Sequence, residues 1–78
     1  MPTVLRKNGF DFKISTEDHE PMHVHVWYQG RQVLINFEAE VSIRRNYGLN
    51  RNELRQALII VEEHQSFLQT KWREIYGQ

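Results

Sequence analysis

The dipeptide Asn8-Gly9 constrains this chain more than any other feature. A two-residue type I′ turn needs positive φ at both central positions, and Asn-Gly takes that shape at little cost. The flanking runs alternate, so the turn also sets a register. Leu5 falls opposite Phe12, Arg6 opposite Asp11, Lys7 opposite Phe10 and Thr3 opposite Ile14. Phe10, Phe12 and Ile14 then share a face with Leu5, and Arg6 with Asp11 forms a favourable cross-strand pair on the other face.

Gln29-Gly30 repeats the device between two longer alternating runs, His23 to Tyr28 and Arg31 to Phe37. Pairing Tyr28 with Arg31 sets Val26 opposite Val33 and Val24 opposite Ile35. One face becomes Val24, Val26, Val33, Ile35 and Phe37; the other carries His23, His25, Trp27, Gln32, Leu34 and Asn36. The aliphatic face offers more apolar area per residue and is the one expected to be buried. Val41 to Arg44 is expected as a shorter fifth strand.

The remainder reads as helix. Asn50 with Glu53 three residues on makes the Asn version of a capping box. Leu54, Leu58, Val61, Leu68, Trp72 and Ile75 recur at helical steps, with Gln65 interrupting the stripe near His64–Ser66. The predicted fold is therefore α+β: a four- to five-stranded antiparallel sheet of two hairpins, with one long C-terminal helix packed on one face. Seventy-eight residues, 40% of them hydrophobic, make a single domain over 1–78 with a thin core. A homodimer or a protein partner is expected on that ground.

Charge is balanced at ten basic and ten acidic residues, so the basic excess usual for nucleic-acid binding is lacking. Nucleic acid is not the favoured partner. The pair Arg44-Arg45 ahead of the helix start is the one local exception. No cysteine means no disulfide framework and no thiolate metal site. Nothing resembles a signal peptide or a membrane span, so a cytoplasmic location with no membrane partner is expected.

Chemistry concentrates in Glu17-Asp18-His19-Glu20-Pro21-Met22-His23-Val24-His25-Val26, which holds three of the four histidines. Strand residues two apart project to one side with Cα atoms about 6.5–7 Å apart. Two imidazoles at that spacing, His23 and His25, can converge on one ion, with His19 or a loop carboxylate as third ligand. Such a set suits zinc, iron or manganese. The same groups could instead exchange protons, with Asp18 orienting a ring, because an ordinary imidazole titrates near pH 6.5. The plain alternative is polar side chains facing water on a strand. Trp27 and Leu34 share the histidine face, and no second helix remains to cover it, which marks a binding surface.

The stretches Met1 to Arg6, Gly9-Phe10, Asp18 to Val26 and Asn46-Tyr47-Gly48-Leu49 also resemble one family across nearly the whole chain. It is a family of small bacterial domains of unknown function with an Asp-His-x-Pro-x-His-Val-His-Val signature. Met22 departs from it where many members carry a second proline. The resemblance implies a bacterial protein encoded beside another small domain, in an arrangement like a toxin–antitoxin pair. It points to Asp18, His19, Pro21, His23 and His25 without supplying an activity. The expectation is a protein-binding component of such a module, acting through the open sheet face. The alternative is a metal- or histidine-dependent hydrolase or ribonuclease-like toxin using His19, His23 and His25.

Overall fold

The computed structural model describes residues 2–17 and 21–77. Five strands form one antiparallel sheet in chain order: β1 (Thr3–Lys7), β2 (Phe10–Lys13), β3 (His23–Tyr28), β4 (Arg31–Asn36) and β5 (Ser42–Tyr47). Two helices follow, α1 (Arg51–Glu63) and α2 (Gln65–Ile75). The architecture is α+β, and neither helix is long and apolar enough to cross a membrane.

Both hairpins close as the turn chemistry requires. Asn8 and Gly9 sit at φ 54° and 84°, Gln29 and Gly30 at 49° and 78°, so both central residues of each turn are left-handed. Leu5 pairs with Phe12 and Arg6 with Asp11 in the first hairpin, while Val24 pairs with Ile35 and Val26 with Val33 in the second. One register differs. Thr3 pairs with Lys13, not Ile14, because Val4 is an extra residue in β1. That bulge lets Val4 and Leu5 both pack on the core.

The aliphatic face is the buried one. Val24, Val26, Val33, Ile35 and Phe37 are fully buried together with Phe10, Phe12 and Ile14. The helices close this layer with Ala57, Ile60, Val61, Leu68 and Trp72. Asn50 caps α1 through a complete capping box: its side chain accepts from the Glu53 N–H at 2.9 Å, and Glu53 accepts from the Asn50 N–H at 2.9 Å. Glu53 also takes both guanidinium nitrogens of Arg31, at 2.6 and 2.9 Å, which latches β4 to the start of α1. The hydrogen bonds from Arg31 and from the Asn50 backbone hold the Glu53 carboxyl below its ordinary range.

The single long helix expected from the stripe is two helices. The chain breaks at His64, whose backbone N–H and ring Nδ1 both turn back to the Ile60 carbonyl, at 3.1 and 2.8 Å. The reason lies in the residue that interrupts the stripe. The Gln65 amide donates to the carbonyls of Phe37 and Ala39 at 2.8 and 2.6 Å. The Gln69 amide reaches Phe37 and Glu38 at 3.3 and 3.0 Å. A straight continuation of α1 would carry these amides past the β4–β5 connection; the break lets α2 satisfy it.

The fifth strand is longer than expected. It begins at Ser42, one residue later than expected, and runs three residues beyond Arg44, so that Arg45, Asn46 and Tyr47 also belong to the strand. Ile43 pairs with Ile35 and Arg45 with Leu34, so Arg44 is a second bulge.

Candidate functional site: the histidine strand and the open sheet face

Strand β3 begins in a tied corner. Met22 donates its N–H to Glu38 Oε1 at 3.0 Å and accepts from the Phe37 N–H at 3.1 Å. The His23 ring folds back so that Nδ1 lies 3.0 Å from the Pro21 carbonyl. A carbonyl only accepts, so Nδ1 is the donor in this contact. Alternation sends His23 away from the core, yet its residue is only 5% exposed. It sits at the strand end, where its ring stands 5.8 Å from Trp72 of α2 and 5.6 Å from His25. The two histidines therefore differ: His23 is closed over by α2, while His25 stays half-buried on the sheet surface.

His25 takes the opposite tautomer. The Gln32 amide on β4 donates to its Nδ1 at 2.9 Å, which leaves the proton on Nε2. The pair thus presents one ring that donates through Nδ1 and one that accepts there. A metal at His25 Nδ1 would require the Gln32 hydrogen bond to be given up. Among the described residues no three His, Cys, Asp or Glu groups cluster to hold an ion. Asp18 and His19, the other residues of the expected site, lie outside the described residues, as does Glu20.

The pairing registers assemble the rest of the face. One row runs Arg6, Asp11, Trp27, Gln32, Tyr47; the next runs Thr3, Lys13, His25, Leu34, Arg45. Trp27 and Leu34 occupy the centre, both half-buried by their neighbours. Arg44 also turns to this side, donating to Asn36 Oδ1 at 3.3 Å. Arg45 lies over the Tyr47 ring at 5.5 Å. Asp11 is the one acid in these rows, and it is paired with Arg6 at 3.4 Å. A chain of zero net charge thus carries a basic surface of Lys13, Arg44 and Arg45 around a tryptophan.

Lys13, Arg45 and Tyr47 were not among the residues the sequence singled out for this face. Their place follows only from the β2–β3 and β4–β5 registers, and the second of these is shifted by the Arg44 bulge. The large exposed apolar side chains lie elsewhere, at Ile43, Ile59 and Phe67, with Tyr47 alone on the open face.

No curated protein and no solved structure matches the chain. A family model does, over residues 9–73, which spans β2 to β5 with the histidine strand, all of α1 and most of α2, and leaves out β1. The chain belongs to that family, described as a domain of unknown function (DUF4160).

Proposed function

We propose that this domain is a binding module, the partner-engaging half of a two-gene pair of the toxin–antitoxin kind, and that it binds a protein through its open sheet face. The observation that carries the reading is the division of the sheet. Both helices pack on the aliphatic side, and among the described residues nothing covers the Trp27–Leu34 centre opposite. An aromatic centre in a polar, basic rim has the anatomy of a protein interface. The rim of Lys13, Arg44 and Arg45 suits an acidic partner surface, and steering by such a rim acts mainly on the association rate.

The test is co-expression with the product of the neighbouring gene, followed by native mass spectrometry. Trp27→Ala should weaken the complex by about 30-fold or more, the scale of a tryptophan anchor worth roughly 2 kcal/mol. The far-ultraviolet circular dichroism should stay unchanged. Unaltered association of the folded variant would refute the reading.

A second reading rests on the neighbouring rings of His23 and His25, 5.6 Å apart and opposite in their Nδ1 hydrogen bonding. It is proton exchange by His23 and His25 in a hydrolase or ribonuclease-like toxin, with Asp18 orienting one imidazole, or a divalent metal held by His19, His23 and His25. Its test is cleavage of a single-stranded RNA probe. His25→Gln should abolish that cleavage if the reading holds, and intact RNA with the native protein would reject it.

A further inference from the structure

Strand β5 ends the sheet, and all six of its residues are exposed. Its ladder with β4 uses one row of backbone groups, and the outward row is a template for another strand. Below this edge, on the helix side, Ile43 and the α1 residues Leu54, Leu58 and Ile59 line an apolar groove of about 530 Å³. Ile43 and Ile59 are 42% and 45% exposed, which is unusual for large aliphatics of so small a core. The α1 part of the groove runs from Arg51 to Glu62, a rise of roughly 16 Å, which is about the length of a five-residue strand.

We propose that the β5 edge and this groove receive an extended acidic–apolar segment of a partner protein as a sixth strand. Alternation explains the required composition. Side chains on one side of such a strand drop into the groove beside Ile43 and Ile59. Those on the other side emerge on the open face, where the bulge has placed both Arg44 and Arg45. Arg51 and Arg55 rim the groove against one acid, Glu62. Carboxylates at the ends of the segment, where pairing and strict alternation stop, are the complement of that rim, and the apolar floor does not suit a nucleic-acid backbone.

A second copy is a poor occupant. Antiparallel pairing of β5 with itself about its centre would set Arg44 opposite Arg45 twice, and like charges directly opposite are destabilising. The bulge and the arginines thus turn the edge away from its own kind while leaving it receptive to acids. The groove lies on the helix side of β5, so this proposal goes beyond the open-face reading; the two share only Arg44 and Arg45, which neither test substitutes.

The experiment uses the full chain and a fluorescein-labelled peptide, Glu-Ile-Glu-Val-Glu-Ile-Glu, read by fluorescence anisotropy and by hydrogen–deuterium exchange. Saturable binding should appear, with slowed exchange across residues 42–47. Ile59→Glu and Arg55→Glu, both on the exposed side of α1, should each weaken it at least tenfold, while Trp27→Ala leaves it unchanged. The matching peptide with lysine for glutamate should not bind. The proposal is overturned by any of four results: no saturable binding, binding indifferent to Ile59→Glu, displacement of the peptide by single-stranded oligouridine, or a concentration-dependent dimer that Ile59→Glu dissolves.

Discussion

Replacing Gln65 by alanine separates two explanations of the helix break. If the residue merely interrupts an apolar stripe at a partly exposed site, alanine should be neutral or slightly stabilising, since its helix propensity exceeds that of glutamine by roughly 0.4 kcal/mol. The structure demands the opposite sign. The Gln65 amide bridges the Phe37 and Ala39 carbonyls at 2.8 and 2.6 Å. Each neutral hydrogen bond contributes about 1 kcal/mol net. Phe37 keeps a longer partner in Gln69, at 3.3 Å, so part of the loss is recovered. The expected net cost is about 1–1.5 kcal/mol, which for a domain this small lowers the midpoint of thermal unfolding by roughly 5–10 °C. Urea titration followed by circular dichroism gives the free energy, and an unchanged m-value would confirm that the unfolding reaction is the same. Because the two glutamines share one carbonyl, Gln65→Ala with Gln69→Ala should cost more than the sum of the singles. A Gln65→Ala protein as stable as the parent, or more so, would refute the account of why the helix divides.

The remaining predictions are more compact. Glu53 has its carboxyl lowered by Arg31 and the Asn50 backbone, so its contribution to stability is complete above the ordinary glutamate range near pH 4.3 and is lost as pH falls through its lower folded value. Glu53→Gln should therefore destabilise the protein at pH 7 and flatten the acid limb of the stability profile; an acid limb identical to the parent's would contradict this. Gln29 occupies a left-handed position that asparagine takes more readily, so Gln29→Asn should stabilise by about 0.5 kcal/mol in chemical denaturation. Gly9→Ala should cost more than Gly30→Ala. Both positions carry positive φ, but a Cβ at Gly9 would also meet the Tyr28 ring at 3.2 Å, whereas nothing lies within 4 Å at Gly30. Phe12→Ala removes a fully buried ring at a cost of about 3–5 kcal/mol and should unfold so small a domain at 25 °C; a folded variant by circular dichroism would show the core to be better buffered than its size allows.

The parts of the fold legible in advance were those governed by a few covalently near residues. A two-residue turn leaves one register, so Leu5 with Phe12 and Val26 with Val33 could be read directly, and with them the burial of the aliphatic face. The Asn50–Glu53 capping box is equally local. What escaped depends on partners distant in sequence. Bulges at Val4 and Arg44 obey no local signal; each is stabilised by what the displaced residue reaches. The partition of the helix at His64 answers to carbonyls of Phe37 and Ala39, some 26 to 28 residues earlier. Arg31 finds Glu53 across a separation of 22. His23 is the instructive case for the site. Periodicity says to which side of a sheet a ring projects, and that held for His25. It says nothing about what closes the strand end, and there Trp72 encloses His23.

Because the strands lie side by side in chain order, the segment up to Tyr47 holds the whole sheet. Its greasy side then waits for the last third of the polypeptide. A chain that stops short of the helices exposes Val24, Val26, Val33, Ile35 and Phe37 with no lid, since among the described residues it is α1 and α2 that cover them. A message truncated within the helical segment would yield a sticky intermediate in place of a weakened domain, and aggregation, not slow unfolding, is the form its failure would take.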